Sequence, residues 1–116
     1  VPTTRTVQTG SLTAVAPGAF TADATGDKFA MPASGPVFLR IINGGGSSIT
    51  CTIDDPNSVA PENATTYNPD VVITVPNGTT RVVKITDSRR FPNAADSSLV
   101  SLTWSAVTSV TFELWQ

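Results

Sequence analysis

The sequence predicts an all-β protein: an antiparallel β-sandwich of about seven strands, Ig-like or jelly-roll in its connections, with an extended N-terminal arm. Val, Ile and Thr supply 37 of the 116 residues, and side chains branched at Cβ lose rotamer freedom in a helix but fit the pleated surface of a strand. Nine Pro and eight Gly punctuate the chain, separating short runs in which apolar and polar residues alternate at period two. The length fits one domain, and size scaling has about two-thirds of the unfolded surface buried, enough for a single core.

The elements follow in order. Residues 1–10, VPTTRTVQTG, are polar without a periodic apolar face and read as the arm; residues 11–116 form the domain. SLTAVA at 11–16 alternates weakly and is expected as a first strand, ended by Pro17-Gly18. Residues 19–36 contain Gly26, Pro32, Gly35 and Pro36 and read as loop, with Phe20, Phe29 and Met31 tucking it onto the core. VFLRII at 37–42 is a strand with Val37, Leu39 and Ile41 on one face and Phe38, Arg40 and Ile42 on the other. NGGGSS at 43–48 supplies residues able to take positive φ. ITCTI at 49–53 then directs Ile49, Cys51 and Ile53 inward, and the two strands are expected to pair as a hairpin.

Residues 54–70 hold three Pro and form a long polar loop, of the kind that in a compact domain usually serves a function or stays disordered until a partner orders it. VVITV at 71–75 and TTRVVKI at 79–85 read as a second hairpin around Pro76-Asn77-Gly78. Asn-Gly favours a type I′ turn, while the preceding Pro allows a longer one. Residues 86–98 are polar loop. LVSLTW at 99–104 and SVTFELW at 109–115 close the chain, with Val110, Phe112 and Leu114 sharing one face and Thr111, Glu113 and Trp115 the other.

Composition removes several functions. With no His, there is no His-based acid–base chemistry, Ser-His-Asp triad or His metal site. One Cys allows neither an internal disulfide nor a CxxC zinc site, and it suits synthesis in a reducing cytoplasm. The start at Val1-Pro2 is accordingly expected to follow removal of an initiator Met rather than of a longer leader. A net charge of −2 argues against nucleic acid as partner, and no apolar run approaches the roughly 18 residues of a membrane span. The sequons at Asn63 and Asn77 are expected by chance in a chain so rich in Thr.

The polar clusters mostly have plain readings. Asp54-Asp55, Asp70 and Asp87 offer oxygen ligands, but their spacing matches no calcium loop and they read as solvated turns. Glu62 and Glu113 are the only glutamates, and nothing in the sequence sets them at glycosidase spacing. Gly44, Gly45 and Gly46 lack the Lys-Ser/Thr and the helix of a phosphate loop. Cys51 alternates with Ile49 and Ile53 as a small core residue. No enzyme activity, cofactor or metal is therefore expected. Arg89-Arg90 beside Phe91 is either solvated or grips an acidic partner. Trp104 shares a face with Val100 and Leu102 and reads as core. Trp115 packs either on its own sheet or on a neighbouring subunit, and Tyr67 stands in the long loop as a free ring.

The runs FLRIINGGGSSITCTIDDP at 38–56, VPNGTTR at 75–81 and VSLTWSAVTSVTFEL at 100–114 resemble small head proteins of tailed bacteriophages, over roughly residues 28–114. The shared motifs are a strand ending in a Gly-rich turn, a Pro-led turn reaching an Arg, and a closing hairpin. The resemblance implies a decoration, or cementing, protein on the outer surface of the virion capsid, bound to the major capsid protein and commonly trimeric. The 54–70 insertion and SRRFPNAADSS at 88–98 depart from the simplest pattern. An arm able to add a strand to a neighbour's sheet suits that role. The expected interface comprises Val1, Pro2, Thr3, Thr4, Arg5 and Thr6 of the arm with Tyr67, Arg89, Arg90 and Trp115. Two rival readings are a phage tail or head–tail connector protein and a secreted carbohydrate-binding module using Tyr67 and Trp115.

Overall fold

The computed structural model describes residues 2–10, 18–33, 35–60, 62, 68–86 and 89–116. The chain forms strands β1 (Thr3–Arg5), β2 (Phe20–Thr21), β3 (Asp27–Ala30), β4 (Val37–Asn43), β5 (Ile49–Ile53), β6 (Val71–Val75), β7 (Thr80–Ile85), β8 (Leu99–Trp104) and β9 (Val110–Trp115), the period-two segments giving β4 to β9. They build a five-stranded sheet, β1-β3-β8-β5-β6, and a four-stranded sheet, β2-β9-β4-β7. Between the sheets lie Phe29, Val37, Leu39, Ile41, Cys51, Ile53, Val75, Val100, Leu102, Val110, Phe112 and Leu114, all buried. Each large side chain among them contributes about 1.5–3 kcal/mol of transfer free energy.

Strands β2 to β9 pair as one long hairpin rolled on itself. β2 joins β9, β3 joins β8, β4 joins β7 and β5 joins β6, all antiparallel, and the lateral pairs β4–β9 and β5–β8 complete the sheets. That nested order is the jelly roll. An Ig-like arrangement would place consecutive strands side by side, whereas here only β5 and β6 are consecutive neighbours in one sheet.

The expected hairpins are therefore corrected. β4 and β5, β6 and β7, and β8 and β9 each lie in opposite sheets, so their connections are arches across the sandwich. Alternation fixes which side chains face the core, and an arch preserves that pattern as well as a hairpin does. Asn43 holds the first arch. Its buried side chain donates from Nδ2 to the Ser47 carbonyl (2.9 Å) and to the Val75 carbonyl of β6 in the other sheet (3.0 Å), while Oδ1 accepts from the Gly45 amide (3.0 Å). Of Asn77 and Gly78 only Gly78 takes positive φ, 70°, which excludes the type I′ turn that a two-residue hairpin needs.

Residues 19–36 are not all loop: they contain β2 and β3, too short and too polar to show a period. The strand expected at 11–16 lies outside the described residues. The N-terminal segment is extended, and it lies along its own body. β1 pairs in parallel with β3, and Gln8 then forms a parallel bridge to Trp115 in the other sheet.

Candidate functional site

Antiparallel pairing sorts the connections by end, and it does so unevenly. At one end lie the short links 22–26, 44–48, 76–79 and 105–109; at the other lie the described residues of the connections 6–19, 31–36, 54–70 and 86–98. Arg89, Arg90, Thr6 and the end of β9 at Trp115 all belong to the long-loop end, and β1 runs toward it. Exposed loops on a rigid scaffold are where binding residues concentrate, so this end is the candidate site. Val1 and Tyr67 lie outside the described residues.

The arm residues are tied inward. Arg5 donates from Nε to Asp27 Oδ1 (2.7 Å) and from a terminal nitrogen to the Thr21 carbonyl (2.6 Å), with its guanidinium 5.2 Å from the centroid of the Phe20 ring. Asp27, fully buried, also accepts from Trp104 Nε1 (2.8 Å) and the Asp23 amide (2.9 Å). The Thr3 hydroxyl donates to Asp23. Together with the Thr25 amide and hydroxyl, it holds the Asp23 carboxyl down to about 2. Pro2 is half-buried, while Thr4 and Thr6 remain exposed. They and Arg5 line a groove of about 370 Å³ with Val7, Met31 and Gln116.

Arg90 organises the second part. It pairs with Asp55, whose side chain is fully buried, and donates to the Pro69 carbonyl (2.7 Å). Burial alone would push the Asp55 carboxyl up. Hydrogen bonds from the Ser58 hydroxyl, the Arg90 guanidinium and the Ser58 and Asn57 amides outweigh it and hold the group down to about 2. Asn57 Nδ2 reaches the carbonyls of Arg89 (2.9 Å), Arg90 (3.0 Å) and Pro92 (2.7 Å). The described parts of connections 54–70 and 86–98 are thus laced together, with Arg89 exposed on their surface. Asp54, beside Asp70, has its carboxyl pushed up by burial and by that neighbour.

Trp115 packs on its own sheet. Its Nε1 donates to Glu113 Oε1 (3.1 Å), and Arg40 caps the other carboxylate oxygen, so Glu113 is only 4% exposed although it lies on the outer face. Trp104 packs against the core as its alternation implies, 5.1 Å from Phe112 between ring centroids. Cys51 is buried and its thiol is pushed up to about 12, by burial first and then by Asp27, which makes it inert.

Sequence reasoning missed Asp27 and Asn57, because the partners that define them stand far along the chain. It also missed Phe38 and Val82, which are 38% and 61% exposed on the outer face of the four-stranded sheet. Phe38 alternates with buried Val37 and Leu39, and that was the available signal; Val82 stands between exposed Arg81 and half-buried Val83 and offered none. No group of three Asp, Glu, Cys or His placed to hold a metal ion occurs among the described residues. No described helix is long and apolar enough to cross a membrane.

No family model, curated protein or solved structure matches the chain.

Proposed function

We propose that this chain is a non-enzymatic decoration protein of a tailed-bacteriophage capsid, binding the outer face of the major-capsid-protein shell through its long-loop end. The observation that carries the reading is the one-ended gathering of the long connections, the segment that leaves β1 at Thr6, and Trp115 on a jelly-roll frame, while Pro2 and Thr3 lie beside Gly26 at the opposite end. Jelly rolls serve as viral structural domains, although a fold by itself does not assign a function. The low charge suits a protein–protein contact better than nucleic acid. Many copies of a modest contact would then reinforce a shell by multivalency.

The test is copy number in purified virions, by quantitative mass spectrometry against the major capsid protein. A ratio near one per capsid subunit, or one per capsomer site, is expected. A handful of copies moves the protein to the tail or connector. Absence from particles overturns the virion reading and favours the glycan module, since jelly rolls also serve as lectin domains. Because Arg5 also neutralises Asp27, the arm contact is probed at exposed Thr4 and Thr6 rather than by deletion. Thr4→Glu with Thr6→Glu is expected to lower capsid occupancy while leaving the melting temperature unchanged.

A further inference from the structure

The chain contains two Asn-Gly pairs, Asn43-Gly44 and Asn77-Gly78. Asparagine before glycine is the pair most open to imide formation, because no Cβ shields the glycine nitrogen from the side-chain amide carbon. Folding treats the two pairs oppositely, although both stand at the short-link end. Asn43 is 1% exposed, and its side chain is held by Ser47, Val75 and Gly45. The nitrogen that would attack it, that of Gly44, donates to the Ser109 carbonyl at 2.9 Å.

The second pair is unguarded. Asn77 and Gly78 are exposed at the tip of link 76–79, where the Thr79 amide (3.2 Å) and hydroxyl (2.6 Å) both donate to the Pro76 carbonyl and close the turn beneath them. Among the described residues neither the Asn77 side chain nor the Gly78 amide has a hydrogen-bond partner. Nothing stands within 4 Å of where a Cβ of Gly78 would lie. The other described asparagines are each blocked. Asn57 gives its amide to three carbonyls, and the next nitrogen, of Ser58, donates to Asp55 at 2.9 Å. Asn68 precedes Pro69, which has no N–H to lose. Asn93 accepts from the Ala95 amide at 3.0 Å and precedes Ala94, whose Cβ crowds the approach.

We propose that Asn77 is a site of self-modification, converting to aspartate and isoaspartate in the folded protein while the other described asparagines persist. The Gly78 nitrogen, having given its proton to solvent base, attacks Asn77 Cγ. A C–N bond forms, the Cγ–Nδ2 bond breaks, and Nδ2 leaves as ammonia with a proton from water. Water then opens the cyclic imide. Attack at the side-chain carbonyl gives aspartate; attack at the main-chain carbonyl gives isoaspartate, with an extra methylene in the backbone. Water is consumed, ammonia is released, and nothing is oxidised or reduced. Either product adds a negative charge to the arch. Isoaspartate also lengthens it between ends that Asn43 pins, through the Val75 carbonyl (3.0 Å) and the Thr79 carbonyl (3.0 Å). The step owes nothing to the decoration reading.

Incubating the chain in mildly alkaline buffer, folded and in denaturant, and mapping its peptides by mass spectrometry tests the inference. In the unfolded chain both Asn-Gly pairs should convert at similar rates. In the folded chain Asn77 should convert within about tenfold of its unfolded rate, because exposed loop tips open at little cost. Asn43 should be slowed by about a thousandfold or more, because its conversion waits on unfolding. Both aspartate and isoaspartate should appear at position 77. A folded chain that keeps Asn77 intact beyond that margin, that loses any other asparagine first, or that yields aspartate without isoaspartate overturns the inference.

Discussion

Asp27 shows how much of this fold hangs on one side chain. It is buried between the sheets, and its charge is met by Arg5, its other oxygen by Trp104 and the Asp23 amide. Arg5→Met keeps the packing against Phe20 but strands that carboxylate. Breaking a buried pair in this way costs about 3–5 kcal/mol, and urea denaturation should register it. Adding Asp27→Asn should recover part of the loss, because the two sites are coupled. The pH response is set by Asp23 and Asp55, whose carboxyls lie near 2 against the ordinary 3.8. A depressed carboxyl stabilises the fold above its unfolded value and loses that contribution as pH falls through its folded one. Asp54 is raised, so its penalty lifts on acidification and offsets part of the change. The melting temperature should therefore fall between about pH 4 and pH 2, the window set by those two carboxyls, and Asp55→Asn should flatten the profile. A thermal scan across that range checks both statements.

At the scale of elements, the arches carry the topology and their glycines differ in what they tolerate. Gly26 takes φ 109°, and a Cβ there would stand 3.0 Å from the Leu102 carbonyl oxygen; Gly78 takes φ 70° with nothing within 4 Å. Gly26→Ala should cost more than Gly78→Ala, about 2–3 kcal/mol against about 1, since only the first adds a backbone collision to the left-handed penalty. Chemical denaturation of the two variants compares them. The strands from β4 onward were legible because alternation over five to seven residues is a strong signal. Their partners were not, because Ile41 faces the core whether its neighbour is β5 or β9. The strands β2 and β3 escaped notice through brevity. At the site, Trp115 and the Arg89-Arg90 pair were legible as unusual residues in polar surroundings. The Asp55–Arg90 and Arg5–Asp27 pairs were not, since nothing local links residues so far apart.

For the whole molecule, nested pairing sets an order of assembly. Strands β5 and β6 close the shortest circuit, and each pair outward encloses the one before it. Sheets built from such distant pairings fold in roughly milliseconds to seconds. Ile53→Val and Val75→Ala, at the inner turn of the roll, should slow folding; Phe20→Leu, at the outermost pair, should mainly speed unfolding. Stopped-flow chevrons separate the two arms. The parallel bridge between Gln8 and Trp115 has a mechanical consequence. The Gln8 amide bonds the Leu114 carbonyl and the Gln116 amide bonds the Gln8 carbonyl, both at 2.8 Å. Tension applied through residues 2 and 116 pulls those parallel segments past one another in shear, so both bonds must yield together rather than peel in turn. A chain fastened in this way meets stretch between these two segments with bonds loaded side by side.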